Sequence, residues 1–148
     1  MGADLYINSV QKKLEKKYNP LFEKWVAKRK EAKDEVEEKK CQEKVTEYYN
    51  KMFADGYYRD SYNSSNLLWQ YGLDYWGWFS KLLNKDGELE PMKAKIILMT
   101  LDDGINDFEE NLSKLSKDNQ KYFAKKDKEF RKFLQTAIEM DEPIYCSI

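Results

Sequence analysis

From Gly56 to Phe79 the chain reads GYYRDSYNSSNLLWQYGLDYWGWF, which gathers three of the four Trp and five of the eleven Tyr around a single cation, Arg59. In a chain that is 36% charged, this stretch is the natural source of a bulky apolar centre. Gly56 reads as the left-handed end of a preceding helix. The Ser, Asn and Asp residues that follow accept bonds from free backbone N–H groups, so a helix is expected to start near Ser61 to Asn63. It runs through Leu67, Leu68, Trp69 and Tyr71, with Gly72 as its cap. Asp74 then opens a second helix, apolar at 75, 76, 78, 79, 82 and 83, and so wide an apolar face implies burial on most sides.

Two uses of this centre compete. Aromatic residues at helical spacing are usually core, which places Trp76 inside and Arg59 in a buried network beneath the rings. The other use is a ligand pocket, apolar with a few converging polar groups. There Arg59 holds an anion bidentately, and Asp60 or Asp74 serves as acid or base. Tyr62 and Trp69 stack a ring beside Asn66, and the pocket extends to Trp76.

Around the centre the chain reads as helix. Gly2 to Val10 is a short apolar arm, and Asn8 or Ser9 can cap a short helix through Tyr18. Asn19 followed by Pro20 signals a helix start, and nothing breaks helix from there to Ala54. Asn84 to Glu88 is a turn; neither Leu82 nor Lys93 supplies the end ligands a calcium loop needs. Pro91 opens an apolar helix to Asp102, ended by Gly104. Asn106 with Glu109 resembles a capping box, and helical spacing continues to Met140, with a possible restart at Ser116. Asp141-Glu142-Pro143 stops it. The tail 144–148 and the N-terminal arm are both short apolar strings that either lie on the core or pair as strands.

Charge is uneven along the expected long helix. Residues 11–33 hold nine basic and three acidic groups, a net of +6, whereas 34–47 hold three and six, a net of −3. A solvated helix face accounts for this more simply than a nucleic-acid stripe. The whole chain carries −1, too little to steer it toward nucleic acid.

The absence of His removes the usual neutral-pH base and the commonest metal ligand. Ser9-x-x-Lys12 is a frequent chance pattern in a Lys-rich chain, and Asp102, Asp103 and Asp107 lie at helix ends where caps belong. Cys41 and Cys146 show no disulfide or zinc spacing, which favours a reducing, cytoplasmic setting. No cofactor is expected.

At GADLYI (2–7), GYYRDSYNSSNLLW (56–69), GLDYW (72–76) and DEPIYCSI (141–148) the chain resembles a set of small uncharacterised bacterial proteins. They share an N-terminal Gly-Ala-x-Leu-Tyr-Ile and an internal Tyr-x-Arg-Asp-Ser-Tyr-Asn. The resemblance implies a bacterial, cytoplasmic setting and brings no catalytic residues.

These readings converge on an all-α single domain over 1–148, a bundle of five or six helices. Two long supports, Pro20–Ala54 and Asn106–Met140, hold the short aromatic helices, with an extended arm and tail. Function is expected to be binding or regulation through protein contacts, with a protein partner or homodimer, no nucleic acid and no membrane. The alternative is a small-molecule-binding protein or enzyme using the 57–78 pocket.

Overall fold

The computed structural model describes residues 2–61 and 65–148. They form a mainly helical protein with a small sheet, which corrects the all-α expectation. The chain divides into two compact units: residues 8–57, and residues 1–7 together with 58–148.

The unit 8–57 is a helical hairpin of α1 (Asn8–Lys30) and α2 (Glu35–Met52). The single helix expected from Pro20 to Ala54 is therefore two. Pro20 lies inside α1, where it removes one intrahelical hydrogen bond without ending the helix. Asn19 donates to Glu23 instead of capping a new start. The break comes at 31–34, where Asp34 accepts from the Glu37 N–H at 2.8 Å and Glu37 accepts from the Lys33 N–H. That reciprocal pattern is close to a capping box. Phe53 ends α2. Gly56 is not its left-handed cap: a Cβ there would meet the Gln11 backbone N at 2.7 Å, so close approach of two backbones is what this glycine serves.

The other unit combines a sheet with helices. Its strands are β1 (Gly2–Tyr6), β2 (Tyr57–Ser61, whose first residue belongs to the hairpin unit), β3 (Glu88–Leu89) and β4 (Ile144–Ser147), in spatial order β2-β1-β4-β3. The N-terminal arm and the tail do pair, antiparallel, with Leu5 opposite Cys146 and Tyr6 opposite Tyr145. One face is buried through Leu5, Cys146, Ile144 and Leu89, and Tyr6 and Tyr145 meet on the other, as a period of two requires. Asn84 builds the turn before β3 by accepting from Asp86 and Glu88, with Gly87 at φ 76°.

The helices of this unit are α3 (Leu67–Gln70), α4 (Pro91–Asp103), α5 (Ile105–Ser113) and α6 (Lys117–Met140). Pro91 at the first turn of α4 stands where the sequence places it. The single support expected over Asn106–Met140 is instead two helices, because Ser116 caps a new one by accepting from the Asn119 N–H at 3.2 Å. Asn106 does not cap α5, because Gly104 already occupies that position. Phe130 and Phe133 of α6 bring the helix onto the sheet, and Tyr58 stacks on Phe130 at 4.7 Å between ring centres. Among the described residues no helix is long and apolar enough to cross a membrane.

Candidate functional site

The stretch 57–78 forms a strand, a one-turn helix and a tight turn, and these elements send its residues in different directions. Tyr57 to Ser61 pairs as β2 because Tyr58 and Asp60 alternate with Arg59, burying one face and exposing the other. The helix start expected at 61–63 gives way to this strand, and α3 begins only at Leu67. Tyr62, one of the ring-stacking candidates, lies outside the described residues.

Asp60 is 3% exposed. Its carboxylate accepts from the Ser61 N–H at 2.9 Å, the Leu67 N–H at 3.0 Å and the Tyr75 hydroxyl at 2.6 Å. Burial pushes this carboxyl above the usual range, while those three donors and the Lys126 charge pull it back. Burial likewise raises Tyr75 and Tyr58, helped by the Asp60 charge. The Tyr58 hydroxyl lies near enough to Tyr75 for each to shift the other, yet it completes no well-angled hydrogen bond among the described residues.

Asn66 caps α3, accepting from the Trp69 N–H at 2.8 Å. Gly72 follows with φ 74°, and the Leu73 N–H reaches back to Leu68 while that of Gly72 reaches Trp69, a Schellman closure. Asp74 binds the N–H groups of Gly77 and Trp78, so it holds a turn that leads into the 3-10 segment Phe79–Leu82. This replaces the expected second helix. A Cβ on Gly77 would strike the Asp74 carboxylate.

Two expectations for the core are overturned. Trp76 is 63% exposed, because its turn leaves it on the solvent side while Tyr75 and Phe79 point in. Arg59 anchors no buried network: its side chain is 55% exposed and sits 3.7 Å from Asp4. The buried network belongs to its neighbour Asp60. Asp60 and Asn66 thus converge on the start of α3, both engaged with backbone, whereas Arg59, Trp69 and Trp76 face water and Asp74 serves its own turn.

A second polar cluster sits between α3, α4 and α6. Arg131 binds Asp127 at 3.1 Å, Asp102 and the Tyr71 hydroxyl, which itself donates to Asp127. Burial raises Tyr71 and the Asp127 hydrogen bond adds to it. Burial works against the Arg131 charge, but Tyr71, Asp102 and Asp127 outweigh it and hold the guanidinium above its ordinary value. Tyr71 also stacks on Phe108 at 4.3 Å. Each group here is engaged by another, so the cluster reads as a pin between helices. Among the described residues no group of three or more Cys, Asp or Glu is gathered to hold a metal.

One open surface lies on the hairpin. Over 23 residues α1 buries none completely. Leu14, Tyr18, Leu21 and Trp25 recur at helical spacing and all remain at least partly exposed. Rings continue across the two helices from Phe22 to Tyr49 to Phe53 to Tyr57. Toward the 31–34 turn, a groove of about 880 Å³ has Trp25 and Cys41 among its lining, with lysines and glutamates around them. Lys28 lies over the Trp25 ring at 4.4 Å. Sequence reasoning missed this groove because it joined α1 and α2 into one helix; Asp34 with Glu37 three residues on was the signal for the break. No protein-family model, curated protein or solved structure matches the chain, so the resemblance to small bacterial proteins gains no support there.

Proposed function

We propose that this is a binding module acting through protein contacts, and that the α1–α2 hairpin carries them. The supporting observation is the incomplete burial of α1, a helix with an apolar stripe and no fully buried side chain. Helices in folded domains normally gain most of their stability by burying such a stripe. The lysine and glutamate walls around Trp25 give the groove a polar rim with an aromatic anchor inside, the make-up of interface hot spots. A bacterial, cytoplasmic setting goes with this reading, supported by the two free, buried thiols and by the resemblance.

The test compares the full chain with Trp25→Glu as bait for soluble protein at physiological salt. The variant should keep its far-UV spectrum and lose any partner that the parent retains at near-stoichiometric amount. Identical retention by both, or none by either, removes the hairpin from function.

A further inference from the structure

We infer that the partner of the hairpin is an acidic amphipathic helix, docked along a row of lysines on one flank of α1. The inference rests on the binding-module reading and names the chemistry of that module's partner. Lys13, Lys17, Lys24 and Lys28 stand at i, i+4, i+11 and i+15 of α1, and all four are exposed. At 3.6 residues per turn these spacings keep them within about 60° of the helix surface, over about 22 Å of its length. The helix places no carboxylate in that arc: Glu15 and Glu23 lie about 80° or more away, and Glu31 follows its end. Lys13–Lys17 and Lys24–Lys28 are like-charge i,i+4 pairs, which destabilise a helix. Elsewhere the surface does the opposite: Lys44 and Lys51 both meet Glu47 on α2, and Lys125 meets Glu129 on α6. Among the described residues none of the four row lysines forms an ion pair with another side chain. Lys17 and Lys28 lie over the rings of Tyr18 and Trp25 instead. The row therefore holds four cations on one side of a helix with no anion to answer them.

An apolar row borders the cationic one. Leu14, Leu21 and Trp25 run beside it, none fully buried and Leu21 37% exposed. A helix with carboxylates at the same i, i+4, i+11, i+15 spacing and apolar residues along their edge meets both rows at once. That spacing reads the same in both directions, so the ion pairs alone set no polarity. A nucleic acid would satisfy the lysines and leave the apolar row in water. The row also offers it no Arg, Asn or Gln to read a base edge, since Arg29 is turned to Gln42. An anionic membrane needs a wide apolar side free to enter it. The rings further round α1 are occupied by α2, where Tyr18 meets Tyr48 and Phe22 meets Tyr49. The groove beside Trp25 carries both signs of charge, so selectivity for an anion lies with the row.

The probe is a synthetic helix of about 20 residues, with Glu at i, i+4, i+11 and i+15 and Leu along their edge, followed by fluorescence anisotropy against the full chain. It should bind, with a Kd weakening at least ~10-fold between about 0.05 and 0.5 M salt. A peptide of the same composition with its Glu spread around the helix should bind at least ~10-fold more weakly. K13E/K17E/K24E/K28E should lose the Glu peptide and take up a counterpart with Lys at those four positions, and its far-UV spectrum verifies folding. K17E/K24E should be intermediate. Leu21→Ser should weaken the Glu peptide and leave its salt dependence unchanged. No binding by the parent, equal binding of the two Glu peptides, or a quadruple variant that keeps the Glu peptide would overturn the proposal. So would tighter binding of a duplex of about 20 base pairs or of phosphatidylserine vesicles, or a parent dimer that the quadruple variant dissolves. If the Glu peptide fails while a cellular partner is lost in Trp25→Glu and kept by the quadruple variant, the acidic helix is refuted and the binding module stands. If the peptide fails and no such partner is retained, both are refuted.

Discussion

Asp60 keeps a carboxylate among three donors where water scarcely reaches. Asp60→Ala would strand two backbone N–H groups and the Tyr75 hydroxyl, at about 1–3 kcal/mol for each buried group left unmet. A loss of about 3 kcal/mol or more is expected in urea denaturation. Asp60→Asn keeps an acceptor and should lose less. Because burial raises the folded carboxyl above its unfolded value of 3.8, the native state binds this proton more tightly. The contribution of Asp60 is therefore greatest below the unfolded value and declines as pH rises through the folded one. Parent stability measured relative to Asp60→Asn should fall with rising pH across that window and then level off; a rise across the same window would contradict the assignment. Its neighbour should behave otherwise. Arg59→Ala removes an exposed pair with Asp4, so a change of about 0–1 kcal/mol is expected. Trp76→Ala, at a solvent-facing turn, should also stay within about 1 kcal/mol, well below the truncation of a buried ring.

Elements show where sequence reasoning holds and where it stops. Helices announced by local chemistry stand where expected: α4 behind Pro91, α6 behind Ser116, α3 closed by Gly72. Local rules failed where tertiary pairing decides. Tyr57 to Ser61 alternates over only five residues, too few to declare a strand until β1 lies beside it. Asp74 looks like any helix cap, yet the turn it holds returns Tyr75 and Phe79 to the core and leaves Trp76 outside. Of the proposed ligand residues, sequence identifies Asp74 as a capping residue, whereas Asn66, placed inside a helix begun at 61–63, proves to be the cap itself. It could not tell that Asp60, rather than Arg59, faces inward, because that depends on which side of β2 meets α6. Asp34 makes the break between α1 and α2, and Asp34→Ala should cost about 0.5–2 kcal/mol, read as lost helicity or a lower midpoint. In β4, burial pushes the Cys146 thiol up to about 12. A thiol reagent at pH 8 should modify it only as the sheet opens, at a rate that follows denaturant.

At the scale of the whole molecule, stability is expected to be uneven. Burial in the unit built on β1–β4 and α3–α6 is extensive, with Leu5, Phe79, Ile97, Leu101, Phe130 and Leu134 fully enclosed, whereas α1 encloses nothing. Native-state hydrogen exchange should therefore release α1 amides well before those of α6, and equal protection in both would refute this. Both central strands, β1 and β4, come from opposite ends of the described chain. Their pairing spans residues 4 to 147. A ribosome adding about 5–20 residues per second needs roughly 7–30 s between the two. Through that interval β1 has made its apolar face and lacks its longest-range neighbour. The hairpin, with its local contacts, can complete itself meanwhile. The nascent chain thus passes through a stage with one finished arm and one adhesive strand, a stage at which trigger-factor-like holding activity, slower translation or lower temperature should raise the yield of native protein.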